Sequence, residues 1–183
     1  MIARFSLGAR RARAVLRGAL VGGALGLGLG LALVPATAQA QYAIDLPLGS
    51  TLPDLKVETL DGKPASVATY LGKGPLLIEV WATWCENCKA LEPTMRAAMT
   101  KYGSQVKFVT IAVSVNQSLE RVKAWQAQNK LAGEMLFDRK GAVSGAFDAP
   151  ATSYVVVVDK TGKVVYTGLG GTQNIEAAIR KAL

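Results

Sequence analysis

Apolar residues in this chain gather into short runs separated by polar and glycine-rich stretches, and the spacing inside the runs changes along the sequence. Leu76 to Ala82 is almost continuously apolar, broken only by Glu79, as expected for a strand covered on both faces. From Glu86 to Tyr102 the spacing becomes helical, with Pro93 inside, where the missing amide donor should kink the helix. Val106 to Val115 repeats the buried-strand pattern. Ser118 to Lys130 reads as an amphipathic helix with Ser118 at its N-cap, followed by a short strand at Glu134 to Phe137. A short helix around Gly141 to Ala146, a strand at Tyr154 to Val158, the Asp159-Lys160-Thr161-Gly162 turn, a strand at Val164 to Thr167 and a terminal helix from Asn174 complete the series. Upstream, Pro53 to Leu60 and Ala65 to Thr69 flank the Asp61-Gly62 turn signal and predict a hairpin, and Gly72 to Pro75 interrupts the chain. Strands alternating with helices, then a closing hairpin, predict an α/β sandwich around a mixed sheet.

The first forty residues have a different character. Arg4, Arg10, Arg11, Arg13 and Arg17 precede an uncharged apolar core from Ala19 to Val34, and Ala38-Gln39-Ala40 offers small residues for cleavage before Gln41. This is the layout of an export signal, with an uncleaved anchor as its alternative, since the apolar stretch is just long enough to span a bilayer. Residues 41–50 then read as an extended leader and residues 51–183 as one domain with one core. Removing the signal takes away five arginines and no acidic residue, leaving 16 basic against 13 acidic side chains, a net charge of +3 rather than +8. The basic excess is therefore mainly an export device. No basic run survives to suggest nucleic-acid binding.

Both cysteines lie in Trp81-Ala82-Thr83-Trp84-Cys85-Glu86-Asn87-Cys88, at the junction of the first buried strand and its helix. A zinc site needs about four ligands, and the chain has two Cys and no His. Covalent haem attachment needs a His after the second Cys, where Lys89 stands. A purely structural bridge closing so short a loop removes little unfolded-state entropy. Reversible dithiol chemistry remains, calling for neither metal nor cofactor. Cys85, at a helix N-terminus whose free N–H groups favour a thiolate, is the expected nucleophile, and Cys88 the resolving thiol.

Several further segments match one family. Leu52-Pro53-Asp54, the Leu60-Asp61-Gly62-Lys63 hairpin, the cysteine motif with Pro93, and Ala149-Pro150-Ala151-Thr152 before the strand ending in Asp159-Lys160-Thr161-Gly162-Lys163 together resemble the exported thioredoxin-fold thiol-disulfide oxidoreductases of the TlpA and ResA-like group, over roughly residues 50–183. The resemblance implies a thioredoxin-like three-layer sandwich, with helices on both faces of the sheet and an N-terminal β-hairpin. It makes Pro150 a cis-proline beside the cysteine pair, with the backbone of Ala149 pairing with the substrate chain, and makes Trp84 a platform that shields Cys85. Glu79, six residues before Cys85, matches the place of a buried carboxylate in thioredoxin-like proteins. Burial would raise its pKa toward the range useful for accepting a proton from Cys88. Glu86 and Asn87 set the surroundings of the thiolate, the Glu86 charge disfavouring it and Lys89 partly offsetting that.

The function so implied is extracytoplasmic, in the periplasm or on the outward side of a membrane. It is the reduction of protein disulfides in cytochrome c maturation, copper-site assembly or envelope redox balance, with a membrane thiol-electron transporter as reductant. The absence of a histidine between the cysteines argues against a strong oxidant. Two other readings stand beside it. A thiol peroxidase of peroxiredoxin type expects a threonine three residues before the nucleophile, where Ala82 stands, and a secreted binding module would keep an inert bridge.

Overall fold

The computed structural model describes residues 46–147 and 152–183. Seven strands form one mixed sheet: β1 (Lys56–Thr59), β2 (Pro64–Ser66), β3 (Leu76–Trp81), β4 (Lys107–Val113), β5 (Glu134–Asp138), β6 (Tyr154–Val158) and β7 (Val164–Leu169), in the order β2-β1-β5-β4-β3-β6-β7. Parallel pairing joins β3 to β4 and β4 to β5, while β6 and β7 at one side and β1 and β2 at the other run antiparallel. Among the described residues, four helices accompany the sheet: α1 (Glu86–Tyr102), α2 (Leu119–Asn129), α3 (Ala142–Ala146) and α4 (Ile175–Arg180).

The apolar runs account for this order. All six residues of β3 and all five of β6 are buried, so these strands lie inside the sheet with neighbours on both sides. Their burial on both faces demands covering layers, and α1, through Leu91, Met95, Ala98 and Met99, and α4, through Ile175, Ala178 and Ile179, lie against each other and supply one of them. Ser118 caps α2 as the sequence suggests, its Oγ accepting from the Arg121 amide, and α4 begins in the same way, with Asn174 Oδ1 accepting from the Ala177 amide.

The structure departs from the sequence reading in a few places. The second strand of the N-terminal hairpin is only three residues long. Ser66 Oγ then accepts from the Ala68 amide and starts a 3₁₀ turn, Val67–Tyr70, where an extended segment to Thr69 was expected. α1 is continuous through Pro93. α3 has no cap in its own preceding residue, Gly141; the buried Asp138 carboxylate, at the end of β5, accepts from the amides of Ala142, Val143 and Ser144 instead. The described end of the leader lies along the sheet: Gly49 N donates to Val164 O, Val164 N to Ser50 O, and Thr51 bridges Lys163. Among the described residues, no helix is long and apolar enough to cross a membrane.

Candidate active site

Strand β3 delivers the chain to the sheet edge, a short loop from Ala82 to Trp84 turns it, and Cys85 becomes the N-cap of α1. Cys85 and Cys88 are joined by a disulfide, with their Cα atoms 5.2 Å apart. The Cys88 amide lies 3.0 Å from Cys85 Sγ and donates to it, so a backbone N–H of the first helical turn already points at this sulfur. A thiolate on Cys85 would sit on the positive end of a 17-residue helix. In the disulfide form exposure does not distinguish the two cysteines. Cys85 is 5% exposed and Cys88 6%, so their difference lies in the helix terminus rather than in exposure.

Glu79 is neither an edge nor a surface residue. It stands on β3 between Thr110 of β4 and Val155 of β6 and is 5% exposed. Together with Trp81, Cys88, Lys89, Glu92 and Trp125 it lines a cavity of about 20 Å³ between β3 and α1. Burial, and secondarily the negative charge of Glu92, push the Glu79 carboxyl up to about 8. Glu92 Oε1 is held by Arg96, whose Nε and Nη2 donate over 2.8 and 2.6 Å while Nη2 also reaches Asn129 O. The arrangement places a carboxylic acid that is mostly neutral near pH 7 in the same small space as the second cysteine.

The two tryptophans of the motif have different surroundings. Trp81 is buried against Trp125, ring centroids 4.5 Å apart, and its indole nitrogen is buried without a partner among the described residues. Trp84 is 37% exposed, and its indole nitrogen donates to Val115 O over 2.8 Å, which fixes the ring beside the disulfide. Glu86 and Asn87 are exposed, and Glu86 pairs with Lys89 at 2.7 Å, so the charge nearest the helix start is partly balanced on the surface. Pro150 and Ala149 lie outside the described residues. Just after them, Ser153 is fully buried with φ of 66°. Its amide donates to Val80 O and its hydroxyl to Gly170 O, bringing the chain back beside the end of β3.

Sequence reasoning missed two contributors. Gln117, on the loop after β4, accepts from both the amide and the hydroxyl of Thr83, each at 2.9 Å. Gly171, on the loop after β7, lies so close to α1 that an added Cβ would stand 2.7 Å from Ala90 Cβ and 2.9 Å from Asn87 O. No local signal marks a contact across 34 or 84 residues. An aspartate ending a strand just before a glycine and a helix, as at Asp138, could have been read as a cap.

Comparison with known proteins agrees with this geometry. ResA from Geobacillus thermodenitrificans, named a thiol-disulfide oxidoreductase, is 28% identical over 131 residues, covering 70% of this chain and 74% of that protein. DsbE from Vibrio cholerae, named a thiol:disulfide interchange protein, is 31% identical over 131 residues, covering 67% of this chain and 65% of its own. The crystal structure of a thioredoxin-family thiol:disulfide interchange protein from Chlorobium tepidum superimposes with a TM-score of 0.61 at 23% identity, over 75% of this chain and 98% of that one, which places the fold among thioredoxin-like proteins. The model of the AhpC/TSA family matches residues 48–167, a span that holds β1 to β6, the cysteine pair and Glu79, and the chain belongs to that family.

Proposed function

We propose that this thiol-disulfide oxidoreductase works as an exported reductase of protein disulfides, with Cys85 attacking, Cys88 resolving and Glu79 accepting the Cys88 proton. The observation that carries the reading is the Cys85–Cys88 disulfide at the head of α1, whose second cysteine lines a cavity shared with a buried, neutral-leaning carboxyl. Relatives named as thiol-disulfide oxidoreductases support it.

In the reduced protein the Cys85 thiolate attacks one sulfur of a substrate disulfide. A Cys85–substrate bond forms, and the other substrate sulfur leaves as a thiolate. Cys88 then gives its proton to ionised Glu79 and attacks Cys85 Sγ, closing the intramolecular disulfide and releasing the second substrate thiolate. Two electrons pass to the substrate. A membrane thiol-electron transporter would return them by the same exchange in reverse. Trp84, Glu86 and Asn87 edge the approach to Cys85, and the Ala149-Pro150 segment would pair with the substrate backbone. Disulfides of apocytochrome c, of copper-site cysteines and of oxidised envelope proteins are the substrate classes this chemistry suits.

Two measurements test the proposal. The purified chain should catalyse reduction of insulin by a dithiol, and Cys88→Ser should accumulate a mixed disulfide on Cys85 that mass spectrometry can identify. Absence of both would remove the reductase reading, and rapid hydrogen peroxide consumption in their place would favour the thiol peroxidase.

A further inference from the structure

The loop bearing the cysteine motif is held from a neighbour distant in sequence. Because β3 and β4 are parallel and paired with Trp81 opposite Ala112, the loops that leave their ends emerge side by side on one edge of the sheet. The second of these turns back at Asn116, a non-glycine residue with φ of 53°, and thereby aims Gln117 at the first. Gln117 then makes three side-chain hydrogen bonds. Its Oε1 accepts from Thr83 N and Thr83 Oγ1, and its Nε2 donates to Val113 O, which anchors the amide to the end of β4. One residue further along the motif, the Trp84 indole donates to Val115 O of the same loop. The segment Thr83-Trp84 is thus tied by three bonds to residues 115–117.

This tie sits just upstream of the first cysteine. The Cys85 amide donates to Ala82 O over 3.1 Å, so residues 82–85 form a single turn with Thr83 at its bend. Where that turn points sets where Cys85 Sγ stands against the N–H groups at the start of α1, of which the Cys88 amide is already engaged. The Thr83 amide has no role in a helix or strand ladder, and the Gln117 bond is what satisfies it. We infer that Gln117 is a positioning residue for the Cys85 thiol, acting through Thr83 to hold the turn that places the sulfur on the helix terminus. The inference rests on Cys85 being the attacking thiol.

The consequence differs from that of a residue which merely supports the fold. Loosening the turn weakens helix-terminal stabilisation of the thiolate, and so of the reduced form, while the neutral disulfide does not depend on it. Gln117→Ala should therefore slow alkylation of reduced Cys85 by about fivefold, the factor set by one hydrogen bond of ordinary net strength. It should shift the equilibrium with a dithiol buffer toward the disulfide by a similar factor. Thr83→Val, which keeps the amide and the side-chain shape but removes the hydroxyl donor, should give a smaller shift in the same direction. Ser118→Ala is the control. It removes the cap of α2 one residue away and should lower stability without moving either readout, since the Gln117 bonds are untouched.

The test uses the full chain. Alkylation of Cys85 is timed, the dithiol equilibrium is read by thiol trapping, and hydrogen exchange of the Thr83 amide is followed in each variant. Faster Thr83 exchange with slower alkylation and a displaced equilibrium in Gln117→Ala, all absent from Ser118→Ala, is the expected result. An unmoved equilibrium in Gln117→Ala, or equal changes in Ser118→Ala, overturns the inference; Thr83→Val decides it should Gln117→Ala fail to fold. These readouts need only the intramolecular disulfide, so failure of both insulin reduction and mixed-disulfide trapping would sink the proposed function and leave them standing.

Discussion

Glu79 has a carboxyl that burial holds up to about 8, which inverts the usual behaviour of an acid in a folded protein. Because the folded value lies above the 4.5 of an ordinary glutamate, the stability associated with the protonated form is fully present below about 4.5 and is lost as pH rises toward about 8. Glu79→Gln should remove this slope. The variant should match the wild-type chain in acid and exceed it above neutrality by a few kcal/mol, in denaturant unfolding of the disulfide form across pH. The same titration governs the proposed proton transfer, since only ionised Glu79 can accept from Cys88. Wild-type resolution of the mixed disulfide should speed up as pH rises through about 8, while Glu79→Gln should be slow by about 10- to 100-fold and lack this step, by stopped-flow kinetics. Unchanged resolution at equal stability would leave Glu79 as a residue of the strand only. Cys85 and Cys88, though equally buried in the disulfide, should part on reduction: a limiting dose of alkylating agent should label Cys85, and peptide mapping showing mainly Cys88 would reverse their assignment.

Helix α1 joins these groups into one device. Its first turn presents an amide to Cys85, its next turn places Glu92 at the cavity shared with Glu79, and its outer side receives the loop after β7. That last contact has no slack, because the backbone of Asn87 and the methyl of Ala90 occupy the space a side chain at position 171 would need. Gly171→Ala should destabilise the protein by roughly 1–3 kcal/mol, read as a lower denaturant midpoint at unchanged slope. The same loop is tied through Gly170 and Gln173 to Ser153, which follows Pro150 by three positions in the sequence. The substitution should therefore also change insulin reduction more than its effect on stability requires, and a loss of stability alone would confine Gly171 to packing.

Export concerns the chain as a unit. The basic cluster, apolar core and Ala38-Gln39-Ala40 lie outside the described residues, and the domain beyond them carries its own core and its own redox pair. Export would suit the disulfide, which persists in an oxidising compartment and is reduced in the cytosol. Expressed with its own N-terminus in a bacterium that has an outer membrane, the protein should be recovered by osmotic shock and begin at Gln41 on N-terminal sequencing. Recovery of Met1 to Ala40 with the membrane fraction would establish the anchor. Insulin reduction should be the same in either case, since the cysteine pair and Glu79 lie far along the chain from residues 1–40.

How far the chain could be read follows from the range of each interaction. The strands β3, β4 and β6 and the helix α1 were legible because burial on both faces and helical spacing write themselves into consecutive residues. The cysteine pair was legible because three residues on one helix turn suffice to set its chemistry, and the carboxylate in an apolar strand because its desolvation is a local fact. The hairpin register, the cap that Asp138 lends to α3, the contact of Gly171 with α1 and the hold of Gln117 on Thr83 could not be read in the same way. Each depends on which elements become neighbours: parallel pairing of β3 with β4 brings two loops together that share no local signal, and only the assembled sheet brings the loop after β7 against α1. Short-range desolvation and backbone geometry thus chose the redox residues. Strand order, set by the collective burial of both sheet faces, chose the residues that hold them in place.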